Sequence, residues 1–312
     1  MYQPLKGTDH APNLLRARGL SAVIENTGWM VNDLGDVKGV AYGYPCEQRV
    51  EDSMCAHNVE VIGRYCEKVY QKLKIAAESD DFLLLLGGDH SIPVGTAPAI
   101  LTSRPRTGVL WVDAHADINT TTTSPSGNLH GMPVAMLVGL EQGLLSTPSF
   151  SWWTKLDMPV AVDGTPGSSL LDPKDLVYVG LRDVDPGERK VINDLGIKAF
   201  TMKDVDRRGI GNVMEEVCSY FASRDLSIHC SFDIDAIDPF YAPHTGTGVM
   251  GGLTFREANY IAEALHETGR LTSLEMVEIN PKTDSGSRAA DPNMTVELGL
   301  HIIGGALGKA IL

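Results

Sequence analysis

Residues 108–117, GVLWVDAHAD, begin as a strand and end as chemistry. Positions 109–112 are all apolar, the pattern of a strand covered on both faces. Asp113, His115 and Asp117 then follow on alternate positions. Extended residues two apart point the same way, so a strand continuing to 117 predicts that the three side chains project together. Behind them runs a polar loop, INTTTTSPSGNL, which closes on a second histidine, His130.

The same design recurs along the chain. FLLLL (82–86) runs into Gly87 and Gly88 and then delivers Asp89 and His90. LSIHCSFDID (226–235) ends in Asp233 and Asp235, with Asp238 just beyond, and LTSLEMVEIN (271–280) carries Glu278 near its end. DLVYVG (175–180) and IKAFT (197–201) read as two more strands. Helical patterns lie between them over 53–78, 91–101, 132–140, 186–195, 203–222 and 254–268, with a last helix from about Asp291. The 254–268 helix is opened by Thr254 and Glu257 at capping-box spacing. Alternating helices and doubly apolar strands predict an α/β fold of three layers, α/β/α, around a mainly parallel sheet. With no linker-like tract, 1–312 reads as a single domain. Residues 146–173, with Trp152 and Trp153, read as an irregular surface excursion.

In such sheets ligands bind beyond the carboxyl ends of the strands, where the polar residues gather here. Carboxylates packed that closely repel unless some protonate or a cation intervenes. Two imidazoles (His90, His115) and four carboxylates (Asp113, Asp117, Asp233, Asp235) are too many ligands for one ion and suit two. Oxygen-rich ligation with some imidazole and no thiolate favours Mn²⁺ over Zn²⁺ or Cu²⁺, with Fe²⁺ or Co²⁺ as substitutes. A metal pair lowers the pKa of a bridging water, which points to hydrolysis. Other residues carry plainer readings. Asp89 and Asp238 are equally well turn or cap residues. His229 is a core histidine, His10, His57, His266 and His301 are structural or surface, and His244 has no derived role.

Composition narrows the partners. Lys+Arg 26 against Asp+Glu 40 gives a net charge of -14, which disfavours nucleic acid and anionic membrane. No stretch has the length and apolarity of a spanning helix, and the N-terminus lacks a signal-peptide core. Five cysteines without CxxC spacing read as free thiols of a reducing compartment, hence a cytoplasmic protein, with a mitochondrial alternative if a segment lies upstream.

GGDHS, DAHADIN, SGNLHG, GLRDVDPGE and SFDIDAIDPFYAPHTGTG together resemble the ureohydrolases, and within them the arginases, over nearly the whole chain. The resemblance implies two Mn²⁺ per subunit. His90, Asp113, Asp117 and Asp233 would hold one ion. Asp113, His115, Asp233 and Asp235 would hold the other, with Asp113 and Asp233 bridging. It implies hydrolysis of L-arginine to L-ornithine and urea by a metal-bridging hydroxide. His130 would be the proton shuttle and Glu278 the guanidinium carboxylate, with Asp117 among the catalytic groups. Asn119, Ser126 and Asn128 would read the α-carboxylate and amino group. Asp185, with Glu188 near it, would receive the ammonium, and Thr247 would lie close to the guanidinium. Homotrimers or hexamers are implied as well.

The chain also departs from the family. The usual first strand is largely absent before GTDHAPNLLRARGL, so either a segment lies upstream or the sheet edge is remodelled. Gly248, beside Thr247, is expected to loosen its turn. Two rivals stand beside the arginase reading. Agmatinase or another amidinohydrolase would have no use for residues that bind an α-carboxylate. A fold-retaining binding or regulatory protein would keep the ligands without activity.

Overall fold

Six strands form one wholly parallel sheet: β1 (Leu83–Leu86), β2 (Thr107–Val112), β3 (Leu176–Leu181), β4 (Lys198–Thr201), β5 (Ser227–Asp233) and β6 (Leu271–Val277). Their order is β1-β6-β5-β2-β3-β4. The computed structural model describes residues 6–39, 49–50, 54–79, 81–158, 169–283 and 292–309. Among them no strand before β1 joins this sheet, whose β1 edge is open.

The strands are apolar on both faces because both faces are covered. Leu110, Val112, Val177, Val179, Phe232 and Met276 point to one side, where they meet helices Ile210–Ser223, Phe255–Glu267 and Pro292–Ala306. Val109, Trp111 and Tyr178 point to the other, against helices Val59–Ala77, Pro93–Ser103 and Pro133–Leu137. Each large apolar side chain so buried contributes roughly 1.5–3 kcal/mol. The register then sets the site. Val112 is level with Phe232, Phe232 with Met276, and Met276 with Leu86. Asp113, Asp233 and Gly87 therefore step off the sheet at one rim.

Several boundaries differ from the sequence reading. The 203–222 helix is two helices, Met202–Arg208 and Ile210–Ser223, because Gly209 between them takes φ 75°. Helix Val59–Ala77 starts later than expected, after Asn58 in the left-handed region. The capping boxes at Thr254 and Asp185 are both formed. The 146–173 excursion is no surface feature in its described part: Phe150, Trp152, Trp153, Leu170 and Leu171 are buried on the same side of the sheet as Val109, Trp111 and Tyr178. Trp152 stacks on Tyr70 at 5.3 Å and donates to the Gly63 carbonyl. Residues 159–168, like Cys46 and the Cys55 side chain, lie outside the described residues.

Candidate metal centre

Both imidazoles of the motif aim Nδ1 at carboxylates. His90 Nδ1 lies 3.0 Å from Asp113 Oδ2, 3.0 Å from Asp117 Oδ2 and 3.1 Å from Asp233 Oδ2. His115 Nδ1 lies 3.1 Å from Asp235 Oδ2 and 3.4 Å from Asp113 Oδ1. Two groups able to hold a metal result, His90–Asp113–Asp233 and Asp113–His115–Asp235, and Asp113 belongs to both. Asp233 joins only the first group. Its Oδ1 accepts the Asp235 N–H at 2.8 Å, which closes a tight turn, as Asp113 Oδ1 does for the His115 N–H.

Strand alternation is not what gathers these side chains, contrary to the sequence reading. β2 stops at Val112, and Asp113 starts a turn in which its Oδ1 accepts the His115 N–H at 2.7 Å. Asp117 sits at φ 49°, a left-handed conformation uncommon outside glycine. β5 likewise stops at Asp233, and Asp235 lies on the 3-10 turn Ile234–Ala236. Turns after the strands fold the ligands back over the rim, and a straight strand would have carried them away from it.

The electrostatics call for positive charge. Burial works against the charge on Asp113, yet the neighbouring His115 and His90 outweigh it and hold its carboxyl well below the usual range. Burial, together with the charge of Asp113, pushes Asp117 up to about 7. Burial and the charges of Asp235 and Asp113 push Asp233 well up. Burial would lower both His90 and His115, but the surrounding carboxylates raise them strongly. Protons thus occupy a place where cations would serve better. His90 Nδ1, fully buried, meets none of its carboxylates with hydrogen-bond geometry, which fits a metal ligand better than a proton donor.

Residues without a role in the sequence reading hold this cluster. Trp111 donates Nε1–H to Asp113 Oδ2 at 3.0 Å and stacks on His90 at 4.2 Å. Arg182 donates to the carbonyls of Asp235, Ala236, Val249 and Gly180. Its only sequence signal was its place in the GLRDVDPGE motif. Ser231 and Glu275 lie beneath His90 as polar breaks in apolar strands.

The outer residues are placed as follows. Glu278, buried and at φ 64°, accepts the His90 backbone N–H on Oε1 at 2.7 Å. Asn119 donates from Nδ2 to Asp185 Oδ2 at 2.9 Å, so these two stand side by side. Glu188 is turned inward: it accepts Ile118 N–H at 3.1 Å and Asp185 N–H at 3.0 Å. Ser126 Oγ accepts Asn128 N–H at 3.3 Å on the exposed loop. His130 sits on the short turn Leu129–Gly131, and burial lowers its pKa. Thr247 donates to Asp235 Oδ2 at 2.8 Å. Gly248 is closely packed in this loop: a Cβ there would lie 3.2 Å from Pro239 and 3.3 Å from Thr245. Asp89 and Asp238 each accept a backbone N–H of their own turn, the plainer of their two readings, and Asp238 also accepts those of Gly251 and Gly252. His229 is buried and bonded to Ser273. A cavity of about 730 Å³ runs along the open edge of β1. It is the carboxylate–imidazole chemistry, rather than that larger concavity, that locates the site.

A parallel α/β sheet carrying a shared-carboxylate, double-imidazole cluster at its carboxyl rim defines a binuclear metallohydrolase scaffold. The Arginase family model matches residues 2–308, and the chain belongs to that family. It is 41% identical to the hepatic arginase of Aquarana catesbeiana, over 97% of this chain and 88% of that protein. The arginase of Bacillus caldovelox superposes with a TM-score of 0.83 at 34% identity, covering 98% of this chain and 96% of that one. The Entamoeba histolytica arginase, solved in complex with L-ornithine, gives 0.80 at 31% identity, covering 98% and 94%.

Proposed function

We propose that this protein is a binuclear manganese arginase that hydrolyses L-arginine to L-ornithine and urea, as one domain over 1–312. The observation that carries the proposal is Asp113, buried, with one oxygen facing each imidazole Nδ1. His90, Asp113, Asp117 and Asp233 would hold one ion, and Asp113, His115, Asp233 and Asp235 the other, with Asp113 and Asp233 bridging. An oxygen-dominated donor set with imidazole and no thiolate suits Mn²⁺. When bound, the ion pair supplies a water activated near neutral pH and neutralises the buried carboxylates.

The chain's own residues do the rest. Glu278 offers a fixed carboxylate to a planar guanidinium, which favours paired charge-assisted bonds. Its left-handed backbone is the kind of strain stored at functional sites. Asp185, steadied by Asn119, suits the substrate ammonium, and Ser126 and Asn128 offer neutral donors to its carboxylate. Glu188 holds that platform from behind, through its bonds to Ile118 and Asp185. Thr247 steadies Asp235 beside the guanidinium end. His130, kept neutral by burial, is ready to take a proton and pass it to the leaving amine. Free thiols at Cys66, Cys218 and Cys230 accord with a cytoplasmic setting.

Steady-state kinetics on Mn²⁺-loaded protein test the reading. L-arginine is expected to give the higher kcat/KM. A preference for agmatine would move the protein to the agmatinases. Two bound equivalents of metal without urea release would mean a binding protein.

A further inference from the structure

One buried acid beneath the metal centre has no part in that chemistry. Glu275 is fully buried on β6, level with Ser231 of β5 on one side and Leu85 of β1 on the other. A carboxylate in a sheet interior is unfavourable unless its oxygens are matched. Here both are. Thr96, on helix Pro93–Ser103, donates to Oε1 at 2.6 Å, and Ser231 donates to Oε2 at 3.3 Å. Ser231 Oγ lies in turn 2.9 Å from His90 Nε2.

The chain of bonds has a direction. Both Glu275 oxygens accept here, and a serine has one hydroxyl hydrogen. Once Ser231 gives that hydrogen to Glu275, it can only accept from His90, which places the imidazole proton on Nε2. Nδ1 is left with its lone pair aimed at Asp113, Asp117 and Asp233. Outer hydrogen bonds of this kind fix the tautomer of a ligating histidine. Among the described residues His115 has no buried support of this kind: its Nε2 lies 3.9 Å from Asp183, whose side chain is 68% exposed.

We infer that Glu275, acting through Ser231, is a positioning residue that holds His90 in the tautomer able to ligate a metal ion through Nδ1. The inference rests on the metal reading above. It makes the two ion sites unequal, because among the described residues only the His90 side has a buried relay.

Calorimetric titration of Mn²⁺ into metal-free protein tests it, with thermal melts of the same samples. Glu275→Met, which removes the acceptor, should weaken binding of one ion by about 10–100-fold and leave the other unchanged. Glu275→Gln keeps an oxygen for Ser231 and should stay within about threefold of the parent. Ser231→Ala, a small change that spares the fold, should repeat the selective loss. Parental affinity for both ions in Ser231→Ala or Glu275→Met overturns the inference, as does equal weakening at both sites that Gln does not rescue. A parent that binds no Mn²⁺ overturns the metal reading itself, and this inference with it.

Discussion

Replacing Arg182 by lysine tests whether the loops over the metal centre are held by one guanidinium. Arg182 makes five hydrogen bonds to four carbonyls: Nη2 to Asp235 at 2.6 Å and Val249 at 2.7 Å, Nη1 to Ala236 at 3.1 Å and Gly180 at 3.3 Å, and Nε to Val249 at 3.1 Å. Hydrogen bonds from a charged donor contribute about 1.5–3 kcal/mol each, and they are not additive. The two shortest therefore set the scale, at about 3–6 kcal/mol. Lysine keeps the charge but is a point donor that cannot span carbonyls on separate turns. It should retain about half, for a loss of about 1.5–3 kcal/mol. In a chain of this size that corresponds to a fall in Tm of roughly 5 °C. The consequence should reach the metal, because the Asp235 carbonyl held by Arg182 belongs to the turn that aims the Asp235 carboxylate at His115. Thermal melts of metal-free protein and Mn²⁺ titrations would measure both effects. A Tm within 1 °C of the parent, with unchanged Mn²⁺ affinity at the His115 side, would refute the reasoning.

Three further outcomes follow from the site. Asp113→Ala removes the carboxylate common to both groups and should lower bound metal below two equivalents and abolish urea release; unchanged stoichiometry by elemental analysis would rule out the shared role. His130→Asn should lower kcat by about 10²–10⁴-fold with both metals retained, and loss of metal would make His130 a ligand instead. Burial lifts the Glu275 carboxyl from its ordinary 4.5 to about 7. A raised folded-state value means its stabilising contribution is complete below about pH 4.5 and lost as pH rises through 7. Metal-free Glu275→Gln, which does not titrate, should thus gain on the parent above pH 7, by up to about 3 kcal/mol in denaturant melts, and a pH-independent difference would contradict this.

The sequence by itself determined the layer architecture, because doubly apolar strands such as 109–112 are stable only with helices on both faces. It also determined which residue types could meet, since the polar residues follow directly on each apolar run. The helix at 254–268 was legible from its own capping residues. The break at Gly209 was not, because a glycine in a helical period is compatible with either outcome.

How the ligands meet was decided only by the tertiary structure. Level register across β1, β6, β5 and β2 brings residues far apart in the chain to one rim, and no local pattern encodes that alignment. The turn at Asp113, the left-handed Asp117 and the 3-10 turn at Asp235 depend on bonds that form only once the strands have ended there. The supporting residues Arg182, Ser231 and Glu275 make their closest bonds to partners 53, 141 and 179 positions away, on other elements. A single arginine in a loop, or a single acid in an apolar strand, has no local signature of such a role. Burial gives it one, because a buried polar group must find its partner in three dimensions.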